Sequence, residues 1–177
     1  MNGQRAGRLA FLLLGIAAAL AIALLTQPPV LRTDSPEHIG QYICQAMDWR
    51  DGTAELLMEQ HGETAQFVVF QSAESGRRHL LWFRERGGRG VNPGISELHE
   101  CGEGIYGSYL FDQSGDISYA AVWSENARTA FVRIRFATGT EVERPVETAP
   151  ALTVVSWPEG EDSNAYFTAC DAAGTEL

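Results

Sequence analysis

The chain has no lysine. All 13 of its basic residues are arginine, set against 23 Asp and Glu, for a formal net charge of −10. Arg5 and Arg8 lie at the extreme N-terminus, so beyond them 11 arginines face 23 acids and the balance is −12. A surface of that sign repels nucleic acid and anionic lipid headgroups, so a nucleic-acid partner is not expected. Cysteine is also scarce: Cys44, Cys101 and Cys170 include no C-x-x-C pair. That excludes a dithiol redox motif and the paired spacing that marks a zinc site. The chain lacks G-x-S-x-G, Walker A, H-E-x-x-H and S-x-x-K motifs, and with them the common hydrolase and nucleotide-binding signatures. It has no internal repeat and no low-complexity tract.

Long apolar runs are missing too, with one exception. Leu9–Leu25, LAFLLLGIAAALAIALL, is 17 residues without a polar side chain, preceded by Arg5 and Arg8. As a helix it spans about 25 Å, slightly short of the ~30 Å hydrocarbon core of a bilayer, and Thr26 can extend it. The arginines before it hold the N-terminus inside, which sends the rest of the chain outward. The expected layout is a cytoplasmic tail (1–8), a transmembrane signal-anchor (9–26), a Pro-containing linker (27–34) and an extracytoplasmic domain (35–177). The competing reading is a signal peptide cut near Ala21 or Ala23, which yields a secreted domain. Both cuts fall inside the apolar run rather than after it, which favours the anchor. The first cysteine, Cys44, lies far beyond the run, which disfavours a lipid anchor. Gly15, Ala19 and Ala23 recur every four residues, a spacing that an Ala-rich helix produces without any dimer interface.

Beyond the linker the remaining length suits one domain with a real core. Ser35-Pro36-Glu37 is a helix start: a capping residue, proline at the first helical position, then an acid. Ile39, Tyr42, Ile43, Ala46 and Met47 follow at helical spacing, so the helix packs by that face on a sheet. The period then changes to two. Expected strands are 54–60, 65–72, 79–86, 97–101, 105–112, 117–124, 129–137, 140–146, 152–157 and 165–170, parted by turn residues. Short strands at such spacings imply antiparallel sheets. The fold class is therefore α+β, mainly β: a transmembrane helix, then one short helix packed on antiparallel sheets, sandwich-like.

One hairpin can be placed in register. Val132, Ile134 and Phe136 alternate with Arg133 and Arg135, and Ala137-Thr138-Gly139 makes a three-residue loop with glycine at its left-handed position. Arg135 then meets Glu141, Arg133 meets Glu143, and Ile134 meets Val142, with opposite charges on the outer face. The segment from Gly87 to Gly94 reads as a flexible loop, or as part of a binding edge.

The candidate chemistry is thin. Arg77, Arg78, Arg84, Arg86 and Arg89, with Trp82, form the one basic concentration in an acidic domain. Guanidinium groups beside an aromatic suit carboxylate, phosphate or an anionic envelope polymer; ion pairing with the domain's own carboxylates is the plainer explanation. A disulfide can join two of Cys44, Cys101 and Cys170, in any of three pairings, and Cys44 lies off the centre of the helix's apolar stripe, free to reach a partner. His99, Glu100 and Cys101 are metal-ligand types in one short cluster, which is too little for a zinc site. Asp112 to Asp116 has acids spaced like part of a calcium loop but lacks the later ligands, so it reads as a hairpin turn. No metal and no cofactor is expected.

In layout, the helix opening at Ser35, the segments Gly107–Leu110 and Tyr119–Trp123, the Phe131–Phe136 hairpin and the closing Tyr166–Leu177 resemble small single-pass extracytoplasmic proteins of Gram-positive bacteria. The resemblance implies a helix followed by β-hairpins and a place outside the membrane, and it carries across no functional residue. The expected function is a binding or accessory module beside the bilayer, contacting a protein or a cell-envelope ligand. An extracytoplasmic hydrolase or other envelope enzyme is the alternative, and the absence of catalytic motifs leans against it.

Overall fold

The computed structural model describes residues 29–62, 64–111, 117–161 and 164–177, together with residue 16. The chain divides into two compact units, Met1–Val30 and Leu31–Leu177. The apolar run and its stripe of small residues lie outside the described residues, as do the turn at 112–116 and part of the acidic turn at 159–162. Among the described residues no helix is long and apolar enough to cross a membrane.

Among its described residues the second unit holds one helix, α1 (Pro36–Ala46), and twelve short strands. Ser35 caps α1 as its chemistry requires, its Oγ accepting from the His38 N–H at 3.3 Å. Ile39, Tyr42 and Ile43 are buried beneath the helix, as the helical spacing predicts. Cys44 is buried with them and Ala46 is exposed, so the buried face is turned from the one expected.

Three antiparallel sheets follow. The first is β1 (Leu31–Arg32), β5 (Arg89–Glu97), β4 (Arg78–Glu85), β3 (Gln66–Ser72) and β2 (Ala54–His61), in that spatial order. The second is β11 (Ala151–Ser156), β8 (Ile117–Ser124), β7 (Ile105–Phe111) and β6 (His99–Gly102). The third is β10 (Glu141–Pro145), β9 (Phe131–Phe136) and β12 (Ala165–Cys170).

Three apolar clusters order these layers. One joins α1 to the first sheet through Leu31, Ile43, Phe70, Leu81 and Phe83. One joins the first sheet to the second through Phe67, Leu80, Trp82, Leu110 and Trp123. One joins the second to the third through Val122, Ile134, Phe136, Val155 and Ala169. Alternation along a strand explains the sharing, because successive side chains point to opposite faces. In β3, Phe67 and Val69 face the second sheet while Val68 and Phe70 face the helix. In β8, Ala121 and Trp123 face the first sheet while Ala120 and Val122 face the third. Strands covered on both faces read as unbroken apolar runs, and that is the character of VVF in β3, LLWF in β4 and AAVW in β8. A single sandwich has two sheets; here three stack with a helix on one outer side.

Polar ties cross the same gaps. Ser96 Oγ on β5 and Ser108 Oγ on β7 lie 2.6 Å apart. The Tyr109 hydroxyl on β7 donates to the Ala165 carbonyl at 2.8 Å and accepts from the Ala165 N–H at 3.0 Å. Gly107 completes that second gap, since a Cβ there would overlap the Phe167 ring.

The hairpin β9–β10 has the register read from sequence: Arg135 opposite Glu141, Ile134 opposite Val142 and Arg133 opposite Glu143. Arg133 Nε donates to Glu143 at 2.9 Å and Arg135 Nε to Glu141 at 3.0 Å. Two expectations need correction. The linker 27–34 contains a strand, β1, which pairs with β5. The segment Gly87–Gly94 is not a loop: Gly87 and Gly88 form the turn and the rest belongs to β5.

Candidate functional site

The basic concentration occupies β4, its turn and the start of β5, but the strand carries it to two separate ends. At the first end Arg78 is half-buried. Its Nε and Nη2 donate to the two carboxylate oxygens of Glu125, each at 2.7 Å. The guanidinium carbon lies 4.4 Å from the centre of the Tyr106 ring. Trp123 Nε1 donates to the same carboxylate at 3.0 Å. Burial raises the Glu125 carboxyl, but the hydrogen bonds from Arg78 and Trp123 outweigh it and leave the group below its ordinary range. Arg77 lies beside Glu97 at 3.8 Å. Both arginines are paired with the domain's own carboxylates, and Arg78 ties the first sheet to the second.

Trp82 does not belong to an exposed patch. It is 6 % exposed, packed between the first two sheets, and its indole lies over Gly94, where no Cβ fits. Its period-two position does share a face with Arg78 and Arg84; the second sheet covers the middle of that face.

The second end of β4 is different. Gly87 and Gly88 have φ of 59° and 74°, the two left-handed positions of a tight type I′ hairpin turn. The Arg86 N–H donates to the Arg89 carbonyl at 2.8 Å, which closes the turn and sets the two arginines opposite each other. Opposite residues share a face, and so do residues two apart. Arg84, Arg86 and Arg89 are therefore on one face, the face that carries Leu80 and Trp82 farther down the strand. On the other side of β5, β1 pairs Arg32 with Arg89. Arg32, Arg89 and Arg86 thus stand side by side across three neighbouring chains, about 4.8 Å per step, with Arg84 next along the strand.

All four are exposed. Arg32 holds Asp34 at 2.7 Å, and this hydrogen bond keeps the Asp34 carboxyl below its ordinary range. Among the described residues no carboxylate pairs with Arg84, Arg86 or Arg89. The nearby Glu85 points to the opposite face, where Gln66 donates to it. A bulge follows, since Trp82 pairs with Gly94 and Arg84 with Val91, leaving Asn92 and Pro93 opposite Phe83 alone. Bulge, proline and a two-residue β1 together keep this edge from recruiting another strand.

The remaining candidates have quieter roles. All three cysteines are free thiols, on α1, β6 and β12, so no pairing among them is formed. Cys44, expected to reach outward, is 1 % exposed. Cys101 lies at an exposed position, but its Sγ turns in towards the Ile105 carbonyl at 3.5 Å, and burial pushes the thiol up to about 11. Burial raises Cys170 as well. Neither is poised as a thiolate at neutral pH. Among the described residues no three His, Cys, Asp or Glu come together to hold a metal ion. His79, next to Arg78 on β4, is buried and stacked on Phe70 at 5.3 Å, its Nδ1 without a hydrogen-bond partner among the described residues.

A cavity of about 630 Å³ lies between α1 and β2, lined by Glu37, Gln41, Cys44, Asp51 and Leu56 among others. A second, of about 410 Å³, is lined by Glu103, Gly104, Glu125, Asn126 and Arg128, and its Glu125 is already committed to Arg78 and Trp123. Neither is lined by a histidine or by the arginine row. Comparison of the chain with family models, curated proteins and solved structures finds no match. The resemblance in layout to small Gram-positive extracytoplasmic proteins gains no support from these comparisons.

Arg32 is the site residue that sequence reasoning missed. Its place in the row depends on β1 pairing with a strand 57 residues away, and no local pattern announces that.

Proposed function

We propose that the protein is a membrane-anchored, extracytoplasmic binding or accessory module, and that the arginine row of Arg84, Arg86 and Arg89, flanked by Arg32, takes an anionic group of its partner. The partner is a protein or a cell-envelope ligand presenting carboxylate or phosphate. One observation carries the reading: Arg86 is set opposite Arg89 with no described carboxylate beside either, in a domain with a twofold excess of acids. Like charges directly opposite on a ladder are destabilising. Elsewhere Arg50, Arg77, Arg78, Arg133 and Arg135 find acids, and Arg128 and Arg144, which have no such pair among the described residues, are not set opposite another arginine. An arrangement that repels itself in the free protein is relieved by a bound anion, and arginine's planar fork suits both carboxylate and phosphate. The apolar run supplies the anchor in this reading, with Arg5 and Arg8 inside.

The test is capture. Crosslinking with mass spectrometry on intact membranes names the partner of the wild-type chain. Arg84→Gln with Arg86→Gln abolishes its recovery in a pull-down from those membranes. Unchanged recovery removes the row from the site.

A further inference from the structure

The row has a shape as well as a charge. Its arginines are exposed on one face of the first sheet, side by side across neighbouring strands, so they present a line of cations. The row is also bound to the start of the domain. Arg32 belongs to it, and Arg32 sits on the two-residue strand through which the chain enters the fold. Only residues 26–30 separate that strand from the end of the apolar run at Leu25. Six residue steps from Leu25 to Leu31 reach at most ~22 Å.

We infer that the row is a headgroup-docking face: Arg32, Arg84, Arg86 and Arg89 rest on the phosphates of an anionic bilayer. This rests on the anchored, anion-binding reading above and names the anion. The domain's charge of −12 opposes any approach to such a surface as a whole. Screening decides the outcome, because at physiological salt a charge is felt over only about 8 Å. At ion-pairing distance the row presents three arginines without a described acid, Arg32 with its partner Asp34, and Glu85 turned to the other face. The cationic end is attracted while the acidic bulk is repelled, so the two effects together orient the domain, row inward. A tether of this length holds the row at a high local concentration of headgroups, which a soluble polyanion must outcompete.

The experiment uses the full chain reconstituted into vesicles of phosphatidylcholine alone, or of phosphatidylcholine with about one part in three phosphatidylglycerol. Amide hydrogen exchange is followed across residues 84–91, with the β9–β10 hairpin as internal reference. Exchange at 84–91 slows at least about fivefold in the anionic vesicles relative to the neutral ones. The slowing disappears at about 0.5 M salt and in the variant Arg84→Gln/Arg86→Gln/Arg89→Gln, while the reference hairpin is unchanged throughout. Equal exchange in the two vesicle types overturns the inference. A parallel arm tests capture of the neutral-vesicle protein on immobilised polyglutamate and polyphosphate. Capture that needs the three arginines, without any slowing on anionic vesicles, shows a row serving a partner in trans; the headgroup inference then falls and the broader proposal stands. No slowing and no capture removes both.

Discussion

Two hairpins of this protein place arginines on an exposed face, and they treat them in opposite ways. In β9–β10, Arg133 and Arg135 meet Glu143 and Glu141 across the ladder. In β4–β5, Arg86 meets Arg89, and the strand beyond adds Arg32. The residue type is the same, and the opposing residue differs. A charge matched across the ladder is complete within the fold. A charge opposed by its own kind is left unmatched among the described residues of the fold. The same contrast runs along β4 itself, whose Arg78 end is closed by Glu125 and whose Arg84 end is open.

The largest expected effect comes from breaking the closed end. Glu125→Ala leaves the buried Trp123 indole N–H and the half-buried Arg78 guanidinium without their acceptor. The expected loss is about 2–4 kcal/mol, read from the denaturant midpoint. A loss under about 1 kcal/mol means that water replaces the carboxylate and the two ends of β4 differ less than argued.

Next is acid sensitivity, which belongs to the closed end as well. Burial among Phe70 and Trp49 lowers the His79 imidazole from its ordinary value, so the folded state holds it neutral. The unfolded chain then binds the extra proton first. Stability from this group is present above the unfolded value near 6.5 and drains as pH falls toward the folded value, by at most about 1.4 kcal/mol per pH unit. His79→Phe flattens the stability profile between pH 6.5 and 5 relative to wild type. Parallel profiles for the two proteins assign the acid loss elsewhere.

A smaller effect comes from turning the closed hairpin into the open kind. Glu143→Arg sets arginine opposite Arg133, and the melting temperature falls by about 1–2 °C at low salt, with most of the loss recovered at about 0.5 M salt. The smallest is the reverse operation. Arg84→Gln with Arg86→Gln leaves the melting temperature unchanged or slightly raised, because only repulsion is removed. A drop of several degrees means that these arginines hold the fold together and the comparison fails.

Legibility in the sequence followed the range of the interaction. The β9–β10 register could be read because loop glycine, alternation and charge all sit within a dozen residues. The α1 cap could be read for the same reason. β5 could not, because Gly90, Asn92, Pro93 and Gly94 imitate a loop; the two glycines have their reason in contacts made elsewhere. Gly90 leaves room for Leu31 and Phe83, and Gly94 for Trp82. The number of sheets was hidden in plain view. The runs VVF, LLWF and AAVW mark strands buried on both sides, yet a run of apolar residues does not say what lies against each face. The arginines were visible as a cluster, but their division into a closed end and an open end depends on Glu125, 47 residues from Arg78. Exclusion of Trp82 from the exposed site likewise depends on the second sheet.

The two-residue strand β1 has a mechanical consequence. Any pull arriving from the N-terminal segment enters the domain at Leu31, and what resists it first is a short ladder to Gly90 and Arg89, a further bond from the Thr33 N–H to the Gly88 carbonyl, and one leucine seated against Phe83. Such a clip yields by peeling, residue by residue, before the long ladders of β3 and β4 are loaded. Its release strips Arg32 from the row, so that tension on the chain and the make-up of the row are linked through three residues.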